Sequence, residues 1–255
     1  MVETAPAARR HYTAVLLAIT FALIGALGGW WWQSHRIAAS PAAGLAARDR
    51  AAIEAVVQDY LLAHPEILPK AMAELQKKQN ATQLAGIRAD VEKPWPGQIL
   101  GNPHGKVTLV EFTDFACSYC RHSVEEVEAL IAGNPQLKVV MRQLPILSPE
   151  SADAAKMGLA AAEQGRYAAF HKAMFAAGKP DKATIAAAAR AAGVDLARAQ
   201  KVIADPRSEA ELARNIEFAR QLGFNGTPSW VVGDALFSGA VGREKLAEAI
   251  ADASS

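Results

Sequence analysis

The chain has 255 residues, and 27 Lys and Arg against 26 Asp and Glu leave a formal charge of +1. That balance excludes a dedicated nucleic-acid binder, which needs a basic excess to neutralise phosphates, and 51% hydrophobic with 21% charged residues excludes a disordered chain. Two cysteines are too few for a disulfide-stapled scaffold or a four-cysteine zinc site, and both fall in one short stretch.

No residue from Tyr12 to Trp32 is charged, and the run reaches the ~20 apolar residues that span a bilayer as a helix. Arg9 and Arg10 precede it, and Trp30, Trp31 and Trp32 close it where an aromatic belt would sit. Residues 12–32 are therefore expected to be a transmembrane signal anchor, with 1–11 a cytoplasmic tail and the remainder outside. The alternative is a cleaved signal peptide. Small residues at Ala38-Ala39-Ser40 offer a cleavage site, but Pro41 follows and should hinder it. Residues 33–47 are mostly small and polar and read as a linker.

Arg48 to Ala63 predicts an amphipathic helix, with Ile53, Val56, Val57, Tyr60 and Leu61 at i, i+3, i+4, i+7 and i+8. His64-Pro65-Glu66 breaks it, and Pro65 can open a second helix carrying Leu68, Met72 and Leu75. Two short amphipathic helices cannot bury their stripes alone, so 48–85 should pack on the main domain, on a partner or on copies of itself. Val91 to His104 is rich in Pro and Gly and reads as a boundary.

Lys106 to Thr113 predicts a strand that is apolar on both faces, as in the centre of a covered sheet. A helix over Ser118 to Ile131 and a strand over Leu137 to Leu144 follow, and the β–α–β order implies parallel pairing. Residues 151–223 are nearly all helical, punctuated at Gly165, Gly178-Lys179-Pro180, Gly193 and Asp205-Pro206. A hairpin of Ser229 to Val232 and Leu236 to Ser238 turns at Gly233-Asp234, and Arg243 to Ala251 forms a closing helix.

Cys117-Ser118-Tyr119-Cys120 lies between the first strand and its helix. A cysteine at a helix N-terminus meets unpaired N–H groups and the positive end of the dipole, which stabilise a thiolate. Its partner at i+3 shares the face one turn in. The expectation is a redox pair with Cys117 the solvent-exposed nucleophile and Cys120 the buried resolving thiol. An inert disulfide and a metal site using His104 or His122 are the alternatives. Glu111 stands in the otherwise apolar strand, where a carboxylate is costly unless partnered or protonated. Asp114 reads as a surface loop residue. The six histidines show no ligand spacing, and no cofactor motif is present.

EFTDFACSYC, the elements after it, and GTPSWVVGDALFSGAVG near the end resemble the DsbA family of thioredoxin-fold disulfide oxidoreductases, over roughly residues 98–252. The fold class implied is α/β: a thioredoxin fold with a helical insertion over 98–255, preceded by the helical segment 48–85 and the transmembrane helix. The resemblance implies a cis Thr227-Pro228 bond facing the cysteines and docking substrate backbone, with Ser118 and Tyr119 also meeting substrate. It implies that Glu111 is a buried acid exchanging the proton of Cys120. The dipeptide is Ser118-Tyr119 rather than the Pro-His of DsbA itself, so that protein's extreme thiol acidity is not carried over. AIEAVVQDYLLAHPEILPKAMAEL resembles the oligomerisation region of the copper-sensitivity suppressor C proteins, which shuffle disulfides.

Together these imply a protein disulfide isomerase or reductase in the bacterial inner membrane, single-pass, with its catalytic domain in the periplasm, or soluble in the periplasm after signal cleavage. The implied partners are cysteine-containing proteins, a membrane redox partner and copies of itself, for instance as a trimer, with no metal or cofactor. A DsbA-like oxidase is the alternative, and a non-enzymatic copper- or partner-binding module the further one.

Overall fold

The computed structural model describes residues 24–25, 27–32 and 47–254, and the chain divides into two compact units, 1–70 and 71–255. Most of the expected anchor, the tail before it and nearly all of the linker lie outside the described residues. Residues 27–32 are helical, with Trp30, Trp31 and Trp32 exposed, and among the described residues no helix is long and apolar enough to cross a membrane.

In the first unit, α1 (Ala47–Ala63) forms where the 3.6-residue period predicts it. Its stripe is uncovered: Ile53, Val56, Val57 and Tyr60 are all exposed. The turn at His64 is held by the His64 ring, which lies 4.6 Å from the Tyr60 ring and 3.4 Å from Glu66 Oε1. The next helix, α2 (Ile67–Ala85), starts two residues after Pro65, which sits in the turn instead of opening the helix.

In the second unit, α2 ends with Asn80 and Leu84 buried and is followed by the single turn α3 (Arg88–Val91). Five strands form one sheet in the order β1-β3-β2-β4-β5. β2 (Val107–Thr113) pairs parallel with β3 (Leu137–Gln143) and antiparallel with β4 (Ser229–Val232), which pairs antiparallel with β5 (Ala235–Ser238). The three-residue β1 (Ile99–Gly101) pairs antiparallel with β3 at the edge. It lies inside the segment that the sequence presents as a breaker-rich boundary, because three residues flanked by Gly and Pro carry no readable period. β5 begins at Ala235, one residue earlier than expected.

Side chains alternate across the sheet. Leu109, Val139, Met141, Trp230 and Val232 share one core with Val127 and Leu130 of α4 (Ser118–Gly133) and with Leu246 and Ile250 of α10 (Arg243–Ala253). Val110, Phe112, Val140 and Val231 pack on the other face with Leu84, Val91 and Phe218. Phe218 belongs to α9 (Pro206–Gln221). On that second face Arg142, 1% exposed, bonds Glu211 at 2.6 Å, Asn215 at 3.0 Å and the carbonyls of Asp90, Val91 and Lys93. A buried guanidinium with every acceptor supplied fastens α3 to the sheet and to α9.

The insertion consists of α5 (Pro149–Glu163), α6 (Tyr167–Ala177), α7 (Lys182–Ala191) and α8 (Leu196–Ala204). Its breaks fall at the expected Gly, Pro and Asp positions. Ser148 and Asp181 make capping boxes for α5 and α7, and Asp205 caps α9. Gly165 takes φ +68 just past α5, a conformation that favours glycine, and returns its N–H to Ala162. Phe115, Phe170 and Phe175 fill the space among these helices together with many alanines.

Candidate active site

β2 delivers the chain to the site. Beyond Thr113 the strand turns at Asp114, and Cys117 becomes the N-cap of α4 with φ −80 and ψ 121. The turn closes with Cys117 N–H donating to Asp114 O at 2.9 Å. Cys117 Sγ accepts from Cys120 N–H at 3.4 Å, satisfying one of the unpaired donors of the first helical turn. The Thr227–Pro228 peptide bond is cis, as the resemblance implies, and Thr227 O lies 3.2 Å from Cys117 Sγ, where it accepts from the thiol. Thr227 and Pro228 are both buried beside the cysteine turn, whereas Ser118 and Tyr119 are exposed.

Both cysteines are free, and both are buried: Cys117 is 4% and Cys120 1% exposed. This corrects the expectation of a solvent-exposed Cys117, because the Thr227 backbone lies against its sulfur. The two thiols differ in chemistry more than in exposure. Cys117 is lowered from 9.0 to about 6. The hydrogen bond with Cys120 contributes most and burial opposes it; the Thr227 hydroxyl and the N–H groups of Cys120 and Tyr119 add to the lowering. Cys120 is pushed far up by burial first, then by the bond to Cys117 and the charge of Glu111.

Glu111 is 2% exposed in the middle of β2, opposite Met141 on β3 and Trp230 on β4. No cation pairs with it in either neighbouring strand at that row. Burial pushes its carboxyl up to about 8; Thr113 opposes the shift, and the charges of Cys117 and Glu126 add to it. At neutral pH most of this carboxyl is protonated, which is how an acid can sit inside the sheet. Several further polar atoms are buried here. Tyr167 Oη accepts from Gln143 Nε2 at 2.9 Å, while both polar atoms of Gln98, Thr113 Oγ1 and Glu126 Oε2 lack a hydrogen-bond partner of good geometry.

The sequence reading missed three residues in the cysteine turn and in the aromatic cluster packed behind it. Asp114, expected at the surface, is 2% exposed and spends its carboxylate on three backbone N–H groups. The bond to Ala116, two residues on, is an Asx turn that the sequence could have suggested. The bonds to Ile146 and Leu147 depend on tertiary structure. His171 is buried among Phe115, Tyr167 and Phe175, with ring centroids 4.9–6.0 Å away, and burial lowers it to about 4. Phe115, read only as part of the motif, packs between the cysteine turn and α6. His122, a candidate ligand in the metal alternative, is exposed on α4 while both sulfurs are buried.

Residues 108–251 match the DSBA-like thioredoxin domain, and residues 49–81 match the N-terminal domain of the copper resistance protein ScsC. A thioredoxin-like oxidoreductase from Silicibacter pomeroyi is 42% identical with TM-score 0.59, covering 61% of this chain and 91% of its own. ScsC from Proteus mirabilis in a transitional conformation is 28% identical with TM-score 0.61, covering 83% of this chain and 97% of its own. A periplasmic thioredoxin-like protein from Salmonella enterica serovar Typhimurium is 27% identical with TM-score 0.60, over 66% and 95%. Among curated proteins, the Na(+)/H(+) antiporters NhaA 3 of Salinispora tropica and NhaA 1 of Salinispora arenicola are 29% and 28% identical over 158 residues. The chain spans only 24% of the length of each of those antiporters. With more than half of its residues matched, the chain belongs to the DsbA-like family of thioredoxin-fold oxidoreductases, and its N-terminal helices are of the ScsC type.

Proposed function

We propose that the chain is a periplasm-facing protein disulfide isomerase or reductase, held at the inner membrane by residues 12–32 and assembled through residues 48–85. The observation that carries the thiol chemistry is the division of labour between two adjacent sulfurs. Cys117 has the more acidic thiol at the helix N-terminus, and Cys120 stays protonated above a buried carboxyl.

The Cys117 thiolate attacks one sulfur of a substrate disulfide. A mixed disulfide forms, and the other substrate sulfur leaves as a thiolate. The Thr227 carbonyl, released from the Cys117 thiol, is free to accept from the substrate backbone at the cis Thr227–Pro228 loop. Either another substrate thiol attacks the mixed disulfide, which completes an isomerisation, or Cys120 attacks Cys117 Sγ. The second route yields the Cys117–Cys120 disulfide and a reduced substrate, and Cys120 loses a proton on the way. Glu111 takes that proton in its ionised form, which at a pKa of about 8 is the minor form at pH 7. The resolving step therefore accelerates as pH rises toward 8. A membrane partner returns the pair to the dithiol.

The isomerase direction is supported by the ScsC-type segment and by the uncovered stripe of α1, which fits self-association. Linked copies would set several thiol pairs around one substrate. The uncharged run and its tryptophans support the anchor, and the Salmonella relative described as periplasmic supports the compartment. Insulin reduction and repair of scrambled ribonuclease by the full chain, with Cys117→Ser as control, test the reading. Repair that vanishes with Cys117→Ser is expected. Strong oxidation of reduced substrate without repair would favour an oxidase, and function surviving Cys117→Ser would end the redox reading.

A further inference from the structure

Glu111 and Thr113 stand two residues apart on β2 and so share the face of the sheet that α4 covers, whereas Val110 and Phe112 pack on the other face. Along the strand Thr113 lies ~7 Å nearer than Glu111 to the turn that carries the cysteines. Both side chains are buried, Glu111 at 2% and Thr113 at 0% exposure. The Thr113 hydroxyl ties no other element in place: its Oγ1 lacks a hydrogen-bond partner of good geometry. Gln143, the register partner of Thr113 on β3, gives its side-chain N–H to Tyr167 Oη at 2.9 Å. The link from this end of β2 to the loop after β3 is made by backbone alone, with Thr113 O accepting Leu144 N–H at 2.8 Å.

A buried hydroxyl without a structural bond is costly, and valine offers the same branched shape without that cost. What the hydroxyl does have is two reactive neighbours. Thr113 acts through side-chain hydrogen bonding on the Glu111 carboxyl and on the Cys120 thiol, favouring the ionised form of each. A hydroxyl accepts and donates at once, so it can pass a proton from one to the other without changing itself. We propose that the Thr113 hydroxyl relays the proton between Cys120 and Glu111 in the resolving step.

In that step the Cys120 S–H donates to Thr113 Oγ1 while the Thr113 O–H donates to the ionised Glu111 carboxylate. The electron pair left on the Cys120 sulfur forms the bond to Cys117 Sγ. The bond from Cys117 to the substrate sulfur breaks, and the substrate leaves as a thiolate. In reverse, when an incoming thiolate opens the disulfide at Cys117, protonated Glu111 returns the proton to the Cys120 thiolate through the same hydroxyl. The acid can then stay deep in the sheet, set back from the cysteine turn, and still serve Cys120. The proposal rests on the thiol–disulfide reading above and adds a residue to its proton path.

The test follows the mixed disulfide itself. Reduced full-length protein is mixed with excess oxidised glutathione near neutral pH, quenched in acid at intervals, and the glutathione adduct on Cys117 is measured by mass spectrometry. Its formation reads attack by Cys117, and its decay reads attack by Cys120. Thr113→Val should slow decay about tenfold while changing formation less than about twofold. Thr113→Ser, which restores the hydroxyl without the methyl group, should recover decay to within about threefold of wild type. Thr113→Ala should be as slow as Thr113→Val, which keeps the proposal testable if the valine variant folds poorly. Glu111→Gln should also slow decay, and adding Thr113→Val to it should slow decay no further, because both remove links of one path. Unchanged decay in Thr113→Val and Thr113→Ala, equal slowing in Thr113→Ser, or losses that multiply in the double variant would overturn the relay. Absence of any glutathione adduct on Cys117 in wild type and in Cys120→Ser would instead overturn the thiol–disulfide reading.

Discussion

Glu111→Gln removes the carboxyl inside β2 while keeping its shape and one acceptor. In the folded protein this carboxyl is raised from 4.5 to about 8, chiefly by burial. A group raised in this way adds stability that is fully present below the unfolded value and is lost as pH climbs through the folded one, because the unfolded chain ionises first. The full span corresponds to roughly 5 kcal/mol, and the part lying between pH 5 and 7.5 to about 3 kcal/mol. Wild type should therefore lose about 3 kcal/mol relative to Glu111→Gln over that range. Cys117 has the opposite slope: lowered from 9.0 to about 6, it adds stability that is lost as pH falls toward 6. Both reduced proteins carry it, so to first order it cancels in the difference. Urea unfolding of reduced protein, followed by tryptophan fluorescence at several pH values, measures the two curves. A difference that stays constant from pH 5 to 7.5 would refute the buried, protonated carboxyl and with it the proton role assigned to Glu111.

Thiolate absorbance near 240 nm should titrate in reduced protein with a midpoint near pH 6, and Cys117→Ser should remove that transition, since Cys120 is pushed the other way. Arg142→Met should destabilise by about 3 kcal/mol in thermal or urea unfolding, because it leaves Glu211 Oε1 buried without its partner while only Oε2 keeps Arg214, and adding Glu211→Leu should restore much of the loss. Val56→Asp with Val57→Asp should shift the protein to monomers in light scattering and reduce scrambled-ribonuclease repair, while insulin reduction by single sites continues.

The central strand, the cysteine helix and the breaks of the insertion were legible because each has a local cause. β2 is apolar on both faces, Cys117 precedes a helical period, and Gly165, Gly193 and Asp205-Pro206 stop helices wherever they occur. β1 was not legible, since three residues at a sheet edge are selected by their partner Val140 and its neighbours. Asp114 was misread for a related reason. Its local bond to Ala116 fits an exposed turn equally well, and its burial comes from Ile146 and Leu147, more than thirty residues away. The low exposure of Cys117 likewise depends on Thr227, 110 residues further along the chain.

The alanine content of the insertion sets its thermal character. Seven of the fifteen buried residues in the cluster among α5–α8 are alanine, against two of seventeen in the core on the α4 and α10 face of the sheet. An alanine hides one methyl group, so these helices gain contact by backbone proximity and expose little hydrocarbon when they melt. The heat-capacity increment of unfolding tracks exposed apolar area. Per residue the insertion therefore contributes less curvature to the stability–temperature profile than the sheet does. Cooling weakens the large-residue core more than it weakens the alanine-packed helices. The thiol pair sits on the seam between these two thermal regimes, its sulfurs in the alanine-rich cluster and its strand in the other.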